Sequence, residues 1–250
     1  MQTAQHPGRI AVLCGLFAAC GSPMSAQTLE HLYQFNGNYA DTLGGSALTA
    51  NGATPGAGSL SFAANQGPTF DGVAALAGNY SIGLRFSLDT LSGWDKLVDF
   101  KGLASDNGSY TYGNHLQFVY DAPVDFKNGS TPLTTNTLMD VVFTRDAATN
   151  VFSAYLNGSA APEYSFTDAS GQGVAQLVDG KARFSFFVDD HNTGQGEASA
   201  GQVREIRIWD APLASSQIST AFTAIPEPAD YGLLLGAATA LAAVVWRRRR

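Results

Sequence analysis

Hydrophobic and polar side chains alternate along several stretches in the middle of the chain. Residues 80–88 read YSIGLRFSL, with a large apolar side chain at every second position, which predicts a half-buried β-strand. The stretches ARFSFFVDD (182–190) and VFSAYLNG (151–158) alternate in the same way. GQVREIRIWD (201–210) alternates imperfectly, which indicates a strand with a β-bulge.

Turn residues separate further short strands. Asn-Gly pairs occur at residues 107–108, 128–129 and 157–158, and DVVFTR, DAATN and VFSAYLNG follow one another as a hairpin would. The one helical stretch is short, near residues 213–222. About ten short strands at close spacing predict an all-β sandwich or barrel. The remaining strand candidates are HLYQF, SLSF, KLVDF, HLQFVY, DVVFTRD and EYSF.

Residues 1–26 have the pattern of a secretory signal peptide. They contain one basic residue, Arg9, and no acid, followed by the apolar run IAVLCGLFAAC and by small residues up to Ala26. This run of 11 residues is too short to span a bilayer. The alternative is a lipoprotein signal in which Cys20 carries the lipid, although Phe17 stands where such signals usually have Leu.

Residues 225–250 combine three parts in order: a Pro-Glu-Pro triplet, an apolar stretch at 231–246 and an arginine cluster. A transmembrane helix over the apolar stretch would be about 24 Å long, slightly short of a ~30 Å hydrocarbon core. The positive-inside rule places the arginines on the cytoplasmic side. A single-span tail anchor is one interpretation, but the three parts more closely resemble the PEP-CTERM sorting signal. The residues that carry this resemblance are Pro226, Glu227, Pro228, Arg247, Arg248, Arg249 and Arg250.

The PEP-CTERM resemblance implies an exported protein of a diderm bacterium. Such proteins leave by the Sec pathway and are held in the inner membrane, facing the periplasm, by the C-terminal helix. An exosortase, which is a membrane cysteine protease, processes them near the Pro-Glu-Pro triplet, and they then reach the cell surface or the exterior. They are associated with exopolysaccharide and the biofilm matrix. The implied partners are therefore exosortase, the inner membrane, and an exopolysaccharide or other glycan.

The segment between the two ends, residues 27–224, is acidic and has no cysteine. It holds 19 acidic and 9 basic residues, so its net charge is −10, against −7 for the whole chain. This charge excludes nucleic acid as the main partner, because phosphate binding needs a basic surface. Both cysteines, Cys14 and Cys20, lie in the signal peptide. The domain therefore has no disulfide, no thiol nucleophile and no cysteine metal site.

Four segments of this domain resemble laminin-G-like domains, and they occur in the same order. HLYQFNGNYADTLGG (31–45) is similar to the opening strand and turn, and YSIGLRFSLD (80–89) to a core-facing strand. DVVFTRDAATNVFSAYLNG (140–158) is similar to the family's hairpin, and GQVREIRIWDAPLASSQI (201–218) to its closing strand and helix. The resemblance implies a concanavalin A-like jelly-roll β-sandwich over residues 27–224.

Two positions depart from the family pattern. Leu138-Met139-Asp140 stands where the hairpin usually begins with Trp-His-His. Arg204 stands where the closing motif has Asp, although the following Glu205 is retained.

The expected function is non-catalytic. Concanavalin A-like glucanases carry a Glu-x-Asp-x-Glu motif that supplies the two carboxyl groups of the reaction. None of Glu30, Glu163, Glu197 and Glu205 begins such a motif, and the chain has no Gly-x-Ser-x-Gly sequence. We therefore expect no catalytic residue, and a membrane-tethered binding or adhesion domain for glycan or matrix. A polysaccharide-active glycoside hydrolase or lyase, and a structural matrix protein without a discrete ligand, are the alternatives.

Oxygen-bearing side chains point to Ca²⁺ as a candidate cofactor. Asp189, Asp190 and Glu197 follow a predicted strand, and Ca²⁺ takes six to eight oxygen ligands from such loops. A solvated acidic turn is the alternative interpretation. The laminin-G resemblance implies a second place for the ion, because related sandwiches share one between the opening turn, here Asp41, and the closing strand, here Glu205.

Aromatic side chains indicate where a glycan would bind. Tyr110, Tyr112 and Asn114 alternate and so share one face of a strand, where two rings would be available for stacking on sugar. Trp94 lies in a predicted loop and is a further candidate. The alternative is a half-exposed strand in which tyrosine serves β-propensity.

Changing Pro226-Glu227-Pro228 to alanines is expected to leave the protein unprocessed in its native host, because the exosortase would lose its recognition triplet. The measurement is a mass comparison of the membrane and released fractions. An Ala substitution at Thr223, outside the triplet, is the control. Normal release of the triplet variant would refute the sorting interpretation.

Overall fold

The computed structural model describes residues 27–91, 93–121, 124–192 and 194–223. The predicted signal peptide and the predicted sorting signal, including its apolar stretch, lie outside these residues. Within the described ranges, no helix is long and apolar enough to cross a membrane.

The described residues form two antiparallel β-sheets that face each other. The first sheet has the order β12-β11-β10-β5-β15-β3-β2, and β1 also pairs with β15. The second has the order β13-β14-β6-β7-β8-β9, and β4 also pairs with β14. This confirms the predicted all-β sandwich. The strands are β1 Leu29–Tyr33, β2 Thr54–Pro55, β3 Leu60–Phe62, β4 Thr69–Gly72, β5 Tyr80–Leu88, β6 Asp95–Asp99, β7 Gly108–Tyr112, β8 His115–Asp121, β9 Val124–Asn128, β10 Met139–Asp146, β11 Val151–Leu156, β12 Tyr164–Thr167, β13 Leu177–Val178, β14 Lys181–Phe186 and β15 Gly201–Trp209.

The stretches that alternate with a period of two form the central strands of the first sheet. The predicted strand at residues 80–88 is β5, which pairs with both β10 and β15. The register of β15 on β5 shifts between Val203 and Glu205, which confirms the predicted bulge. Because of this shift Val203 and Ile206, three positions apart, are both buried in the core between the sheets.

The predicted hairpin is β10 and β11, joined by a tight turn. Asp146 closes this turn, since its carboxylate accepts hydrogen bonds from the Ala148 amide and the Thr149 hydroxyl, each at 2.8 Å. Asn150 has φ +56°, a left-handed conformation that Asn adopts more easily than most residues.

Several short elements differ from the sequence prediction. The strands β2, β4 and β13 were not expected, because two to four residues carry too little alternation to be recognised, and β9 was missed although its sequence VDFKN alternates. The helix α1 covers only Ser215–Ile218, well inside the predicted 213–222. The flanking residues instead form turns whose apolar members, Leu213 and Ala221, pack with Ile218 on Val142 and Trp209.

Phe222, in the turns after α1, lies on the outer face of the first sheet. Its ring is 4.9 Å from the guanidinium carbon of Arg85 and 5.7 Å from that of Arg207. Arg207 also donates hydrogen bonds to the carbonyls of Ala221 and Thr223, at 2.9 and 3.1 Å. A side chain at Gly83 would meet the Phe222 ring at 3.0 Å, so glycine leaves the space that this C-terminal turn occupies.

Aromatic rings from both sheets form the centre of the core. Phe118 of β8 contacts Phe152 of β11 across the interface, with ring centroids 4.7 Å apart. Tyr80 of β5 contacts Phe184 of β14 at 5.0 Å, and Phe100 lies against Phe152 at 5.8 Å. All five rings are fully buried, so they hold the two sheets in register by hydrophobic burial and edge-to-face packing.

A buried ion pair closes one end of this core. Arg145, the penultimate residue of β10, donates from Nε to Asp168 Oδ2 at 2.9 Å and from Nη1 to the carbonyl of Gly78 at 2.7 Å. Asp168 also accepts hydrogen bonds from the amides of Gln172 and Gly173. Both charged groups are almost completely buried, so the charge of each is compensated by the charge of the other.

Replacing Asp168 by Asn is expected to lower the free energy of unfolding by about 3 kcal/mol or more, because Arg145 would remain buried without a counter-charge. Denaturant unfolding measures this change. The matched control is Asp71→Asn, which breaks the Arg183–Asp71 pair; this pair is 2.7 Å long but partly exposed. That control is expected to cost less than about 1 kcal/mol. Equal costs for the two variants would contradict the role assigned to burial.

Candidate functional site

An exposed aromatic patch lies on the outer face of the second sheet, and we define it as Trp94, Tyr112 and Phe126. The Trp94 ring stacks on Tyr112 with centroids 4.1 Å apart, and Phe126 lies 5.5 Å from Trp94. Tyr112 is 44% exposed and Phe126 is 40% exposed, which is high for such large apolar side chains. The patch therefore offers a flat, partly solvated surface of rings.

Sequence reasoning found two members of the patch. Trp94 and Tyr112 were candidate glycan-binding residues, and the structure brings their rings into contact. Phe126 was not a candidate, although its alternation with polar neighbours in VDFKN was a usable signal. Tyr110 shares the face of Tyr112 but is fully buried, and Asn114 lies in the turn after β7 with φ +62°. Neither of these two belongs to the exposed patch.

Tyr110 lies beneath the patch and joins it to a charged region. Its ring is 5.7 Å from Trp94, edge to face, and 4.9 Å from the ammonium nitrogen of Lys96. Burial raises the pKa of the Tyr110 hydroxyl well above its usual value, and the negative charges of nearby Glu197, Asp106, Asp189 and Asp190 raise it further.

Lys96 is a fully buried cation at the centre of this region. Its Nζ lies 3.5 Å from Asp99 Oδ2 and 4.0 Å from Asp189 Oδ1, and it donates a hydrogen bond to the carbonyl of Ser105 at 3.2 Å. Burial raises the pKa of the Asp99 carboxyl, while the Lys96 charge acts in the opposite direction. One ammonium group is thus shared by two buried carboxylates.

Three carboxylates form an acidic group, which we define as Asp106, Asp189 and Asp190. One oxygen from each lies within 4.8 Å of the others. Asp189 and Asp190 follow β14, while Asp106 precedes β7, and β14 and β7 both neighbour β6. Asp189 and Asp190 were predicted metal ligands. Asp106 was not, because its Asp-Asn-Gly sequence indicated only a turn.

Glu197 lies at the edge of the acidic group. Its backbone amide donates to Asp189 Oδ2 at 2.9 Å, and its side chain is half buried. Burial raises the pKa of the Glu197 carboxyl, and the charge of Asp189 adds to this effect.

Asp41 and Glu205, the second predicted metal pair, each have other partners. Asp41 accepts hydrogen bonds from the amides of Leu32, Leu43 and Gly45, and its Oδ2 lies 2.7 Å from Nδ1 of His31. Glu205 forms an ion pair with Arg207. The structure therefore gives Asp41 the role of closing its own turn, and it does not group these two carboxylates with a third acidic or histidine ligand among the described residues.

Asp95 is a buried carboxyl group beside Trp94. Its Oδ2 accepts a hydrogen bond from the Thr111 hydroxyl at 3.3 Å. Burial raises the pKa of Asp95 to about 6, and the Thr111 hydrogen bond only partly opposes this shift.

A family model described as the concanavalin A-like lectin/glucanases superfamily, of the Laminin_G_3 type, matches residues 61–219. No curated protein sequence matches the chain.

Solved structures with a similar fold include parts of carbohydrate-related proteins and a toxin domain. Domain 4 of a GH43 extracellular arabinanase from Geobacillus stearothermophilus, in complex with arabinotriose, is 17% identical with a TM-score of 0.50; the match covers 78% of this chain and 98% of that one. Trypanosoma rangeli sialidase, in complex with the inhibitor DANA, is 18% identical with a TM-score of 0.57, over 82% of this chain and 34% of the sialidase. The binding domain of botulinum neurotoxin serotype D is 13% identical with a TM-score of 0.52, over 77% and 50%. The chain thus spans about a third of the sialidase.

The predicted function, a non-catalytic domain that is not an enzyme, is wrong. The structures that share this fold come from an arabinanase and from sialidases, which are glycoside hydrolases. The absence of the Glu-x-Asp-x-Glu motif excluded one family's arrangement of carboxyl groups, and it did not exclude others. At these identities the likeness establishes the fold, and the choice of a reaction depends on the site itself.

Replacing Asp95 by Asn is expected to raise the free energy of unfolding by about 1–2 kcal/mol at pH 7 and above. The folded-state pKa of about 6 exceeds the ordinary value of 3.8, so the wild type loses stability as pH rises through this interval. Below about pH 4 both proteins are uncharged at this position, and the difference should disappear. Urea unfolding from pH 3.5 to 8 measures it.

Asp146→Asn is the control for this pH series. Hydrogen bonds from Thr149 and Ala148 lower the pKa of Asp146, so the fold favours its charged form and the control should gain no stability at neutral pH. A constant difference between Asp95→Asn and the wild type across the series would contradict the raised pKa.

Proposed function

The chain belongs to the concanavalin A-like lectin/glucanases superfamily, and we propose that it acts on polysaccharide as a glycoside hydrolase. The glycan lies across the aromatic patch on the outer face of the second sheet. The observation that carries the proposal is this patch, in which the ring centroids of Trp94 and Tyr112 are 4.1 Å apart. Carboxyl groups lie close to Tyr110, directly beneath the patch.

The patch suits a sugar chain by its shape and polarity. Rings that stay partly exposed in a folded protein keep apolar area available, and the apolar faces of sugar rings bury that area on contact. Trp94 is the central member, since it contacts both Tyr112 and Phe126. We therefore assign Trp94 as the main binding residue.

A glycoside hydrolase uses two carboxyl groups that flank the glycosidic bond: one protonates the leaving oxygen, and the other acts as nucleophile or activates a water molecule. Glu197 is half exposed and lies beside Tyr110, which in turn contacts Trp94. This position is at the border between the patch and the acidic group, where a glycan on the patch would come within reach. We assign Glu197, whose carboxyl pKa is raised by burial, as the general acid that protonates the leaving oxygen, and a carboxylate of the neighbouring acidic group as the second carboxyl group of the reaction.

The similarity to solved structures is consistent with a glycan as ligand. The arabinanase domain was solved with arabinotriose, so a sandwich of this fold holds an oligosaccharide in that protein. This supports the class of ligand for the present chain and leaves the identity of the sugar to experiment.

We also propose that the domain works outside the cytoplasm. The signal-peptide pattern at 1–26 and the Pro-Glu-Pro, apolar and arginine pattern at 225–250 support export and a C-terminal tether. Exopolysaccharide at the cell surface is the polysaccharide that such a location would offer.

The full chain in detergent micelles is expected to release reducing ends from at least one member of a panel that includes arabinan and bacterial exopolysaccharides. Glu197→Gln should lower kcat by about 10²- to 10⁴-fold while oligosaccharide binding persists. Trp94→Ala should instead raise KM by roughly two- to tenfold, since a ring contact contributes about 0.5–1.5 kcal/mol.

The matched control is Glu30→Gln, an exposed glutamate of the same charge in β1. It should leave both kinetic constants unchanged. Failure of the folded wild type to release reducing ends from any polysaccharide would refute the hydrolase, and full activity of Glu197→Gln would refute the assignment of that residue.

A further inference from the structure

We propose that a pocket on the outer face of the first sheet binds the carboxylate of an acidic sugar residue, such as a uronic acid. We call it the arginine pocket. It has a volume of about 280 Å³, and the residues that line it include Gln34, Asn36, Arg85, Leu138, Arg204 and Glu205. This second glycan site does not depend on the proposed hydrolase, because the aromatic patch lies on the other sheet.

The arginine pocket opens where two strands share one edge of β15. β5 pairs with the opposite edge, β3 pairs with residues 201–203 of β15, and β1 pairs with residues 206–209. Residues 204 and 205 lie between these two paired segments, so neither β1 nor β3 pairs with them. The side chains of the pocket converge at this opening in the sheet.

The β-bulge in β15 turns two consecutive side chains toward this opening. The register of β15 on β5 shifts between Val203 and Glu205, and Val203 and Ile206 are both buried in the core. Arg204 and Glu205 both line the pocket, together with Arg85, which lies opposite Glu205 in the strand register. Bulges re-aim side chains in this way near functional sites, and here the bulge adds a guanidinium group to the pocket.

Arg204 brings uncompensated positive charge to the pocket. The structure describes five arginines, and Arg204 alone among them forms no ion pair with a described residue. Arg85 pairs with Asp140, and Arg207 pairs with Glu205. These five side chains carry three positive charges and two negative ones, so one added negative charge balances them.

The donors in the pocket suit a carboxylate. A guanidinium group offers a planar pair of N–H donors that matches the two oxygens of a carboxylate. Asp140 accepts from Nε and Nη2 of Arg85, each at 2.7 Å, which fixes the direction of that side chain. Arg204 is exposed and has no hydrogen-bond acceptor among the described residues, so its donors are available to a ligand. A carboxylate carries one charge, whereas a phosphate ester carries nearly two at neutral pH and would exceed the balance.

The other walls of the pocket suit a sugar ring. Gln34 and Asn36 carry amide groups, which both donate to and accept from hydroxyl groups. The Leu138 side chain is 43% exposed and offers an apolar surface to one face of the ring. Small-molecule sites usually measure about 300–1,000 Å³, so the pocket is of a size for one sugar residue.

Backbone contacts hold the wall that carries Gln34 and Asn36. Phe35, between them, is buried in the core and has φ +52°, a conformation that few residues other than glycine adopt. Its carbonyl accepts hydrogen bonds from the amides of Gly37 and Gly58, at 2.9 and 3.2 Å. The two amide side chains therefore start from a fixed backbone, which lowers the entropy cost of binding.

The arginine at position 204 is also the point at which the chain departs from the laminin-G pattern. The closing motif of that pattern has Asp here, followed by the Glu that this chain retains as Glu205. A guanidinium group at this position repels a cation and attracts an anion. The departure therefore agrees with an anionic ligand at the closing strand.

Calorimetric titration of the full chain in detergent micelles with sodium glucuronate is the test, with glucose and sodium acetate as comparison ligands. We expect glucuronate to bind at one site. Glucose lacks the carboxylate and acetate lacks the ring, so each should bind at least about tenfold more weakly. Arg204→Ala should weaken glucuronate binding by about ten- to a hundredfold, the effect of losing a charge-assisted hydrogen bond. Arg204→Lys keeps the charge without the paired donors and should retain more affinity than Arg204→Ala.

Lys181→Ala is the matched control, because Lys181 is an exposed cation of the second sheet that forms no ion pair with a described residue. It should bind glucuronate like the wild type, which excludes a general effect of net charge. Absence of glucuronate binding by the folded wild type, or equal affinity for glucose, would overturn the proposal. Wild-type affinity in folded Arg204→Ala would also overturn it. None of these results depends on the release of reducing ends from polysaccharide.

Discussion

Hydrophobic contact between aromatic rings is the interaction on which the sandwich depends. Both cysteines of the chain are at positions 14 and 20, so residues 27–224 contain no disulfide. Phe118 and Phe152, from opposite sheets, are 4.7 Å apart, and Tyr80 and Phe184 make a second such contact. Because these rings set the distance and register of the sheets, they also decide which side chains point outward.

The outer face of the second sheet carries exposed aromatic rings next to a group of carboxylates. Rings of the aromatic patch are partly exposed, and the acidic group beside them is mostly buried. Tyr110 belongs to both, since its ring contacts Trp94 and its hydroxyl lies near the carboxylates. The fold accepts a buried ammonium group and several buried carboxylates here, which costs stability that the aromatic core must offset.

Alternation in the sequence was sufficient to predict the sandwich and the long strands β5, β10, β11 and β15, because half-buried strands have a strict period of two. The bulge in β15 was visible as a break in that period. The site was only partly predictable. Trp94 and Tyr112 were predicted from their residue types alone. The burial of Tyr110 was not predictable, because it depends on loops from distant parts of the chain. Sequence spacing also does not show that the carboxylates of Asp106 and Asp190 lie close together.

The contacts that Arg207 makes with Phe222 and with the last described turn fix the face of the sandwich on which this turn lies. They hold Thr223 on the outer face of the first sheet, and the aromatic patch lies on the outer face of the second. The exposed rings and the last described turn therefore lie on opposite faces of the sandwich, and this turn leaves the aromatic patch uncovered.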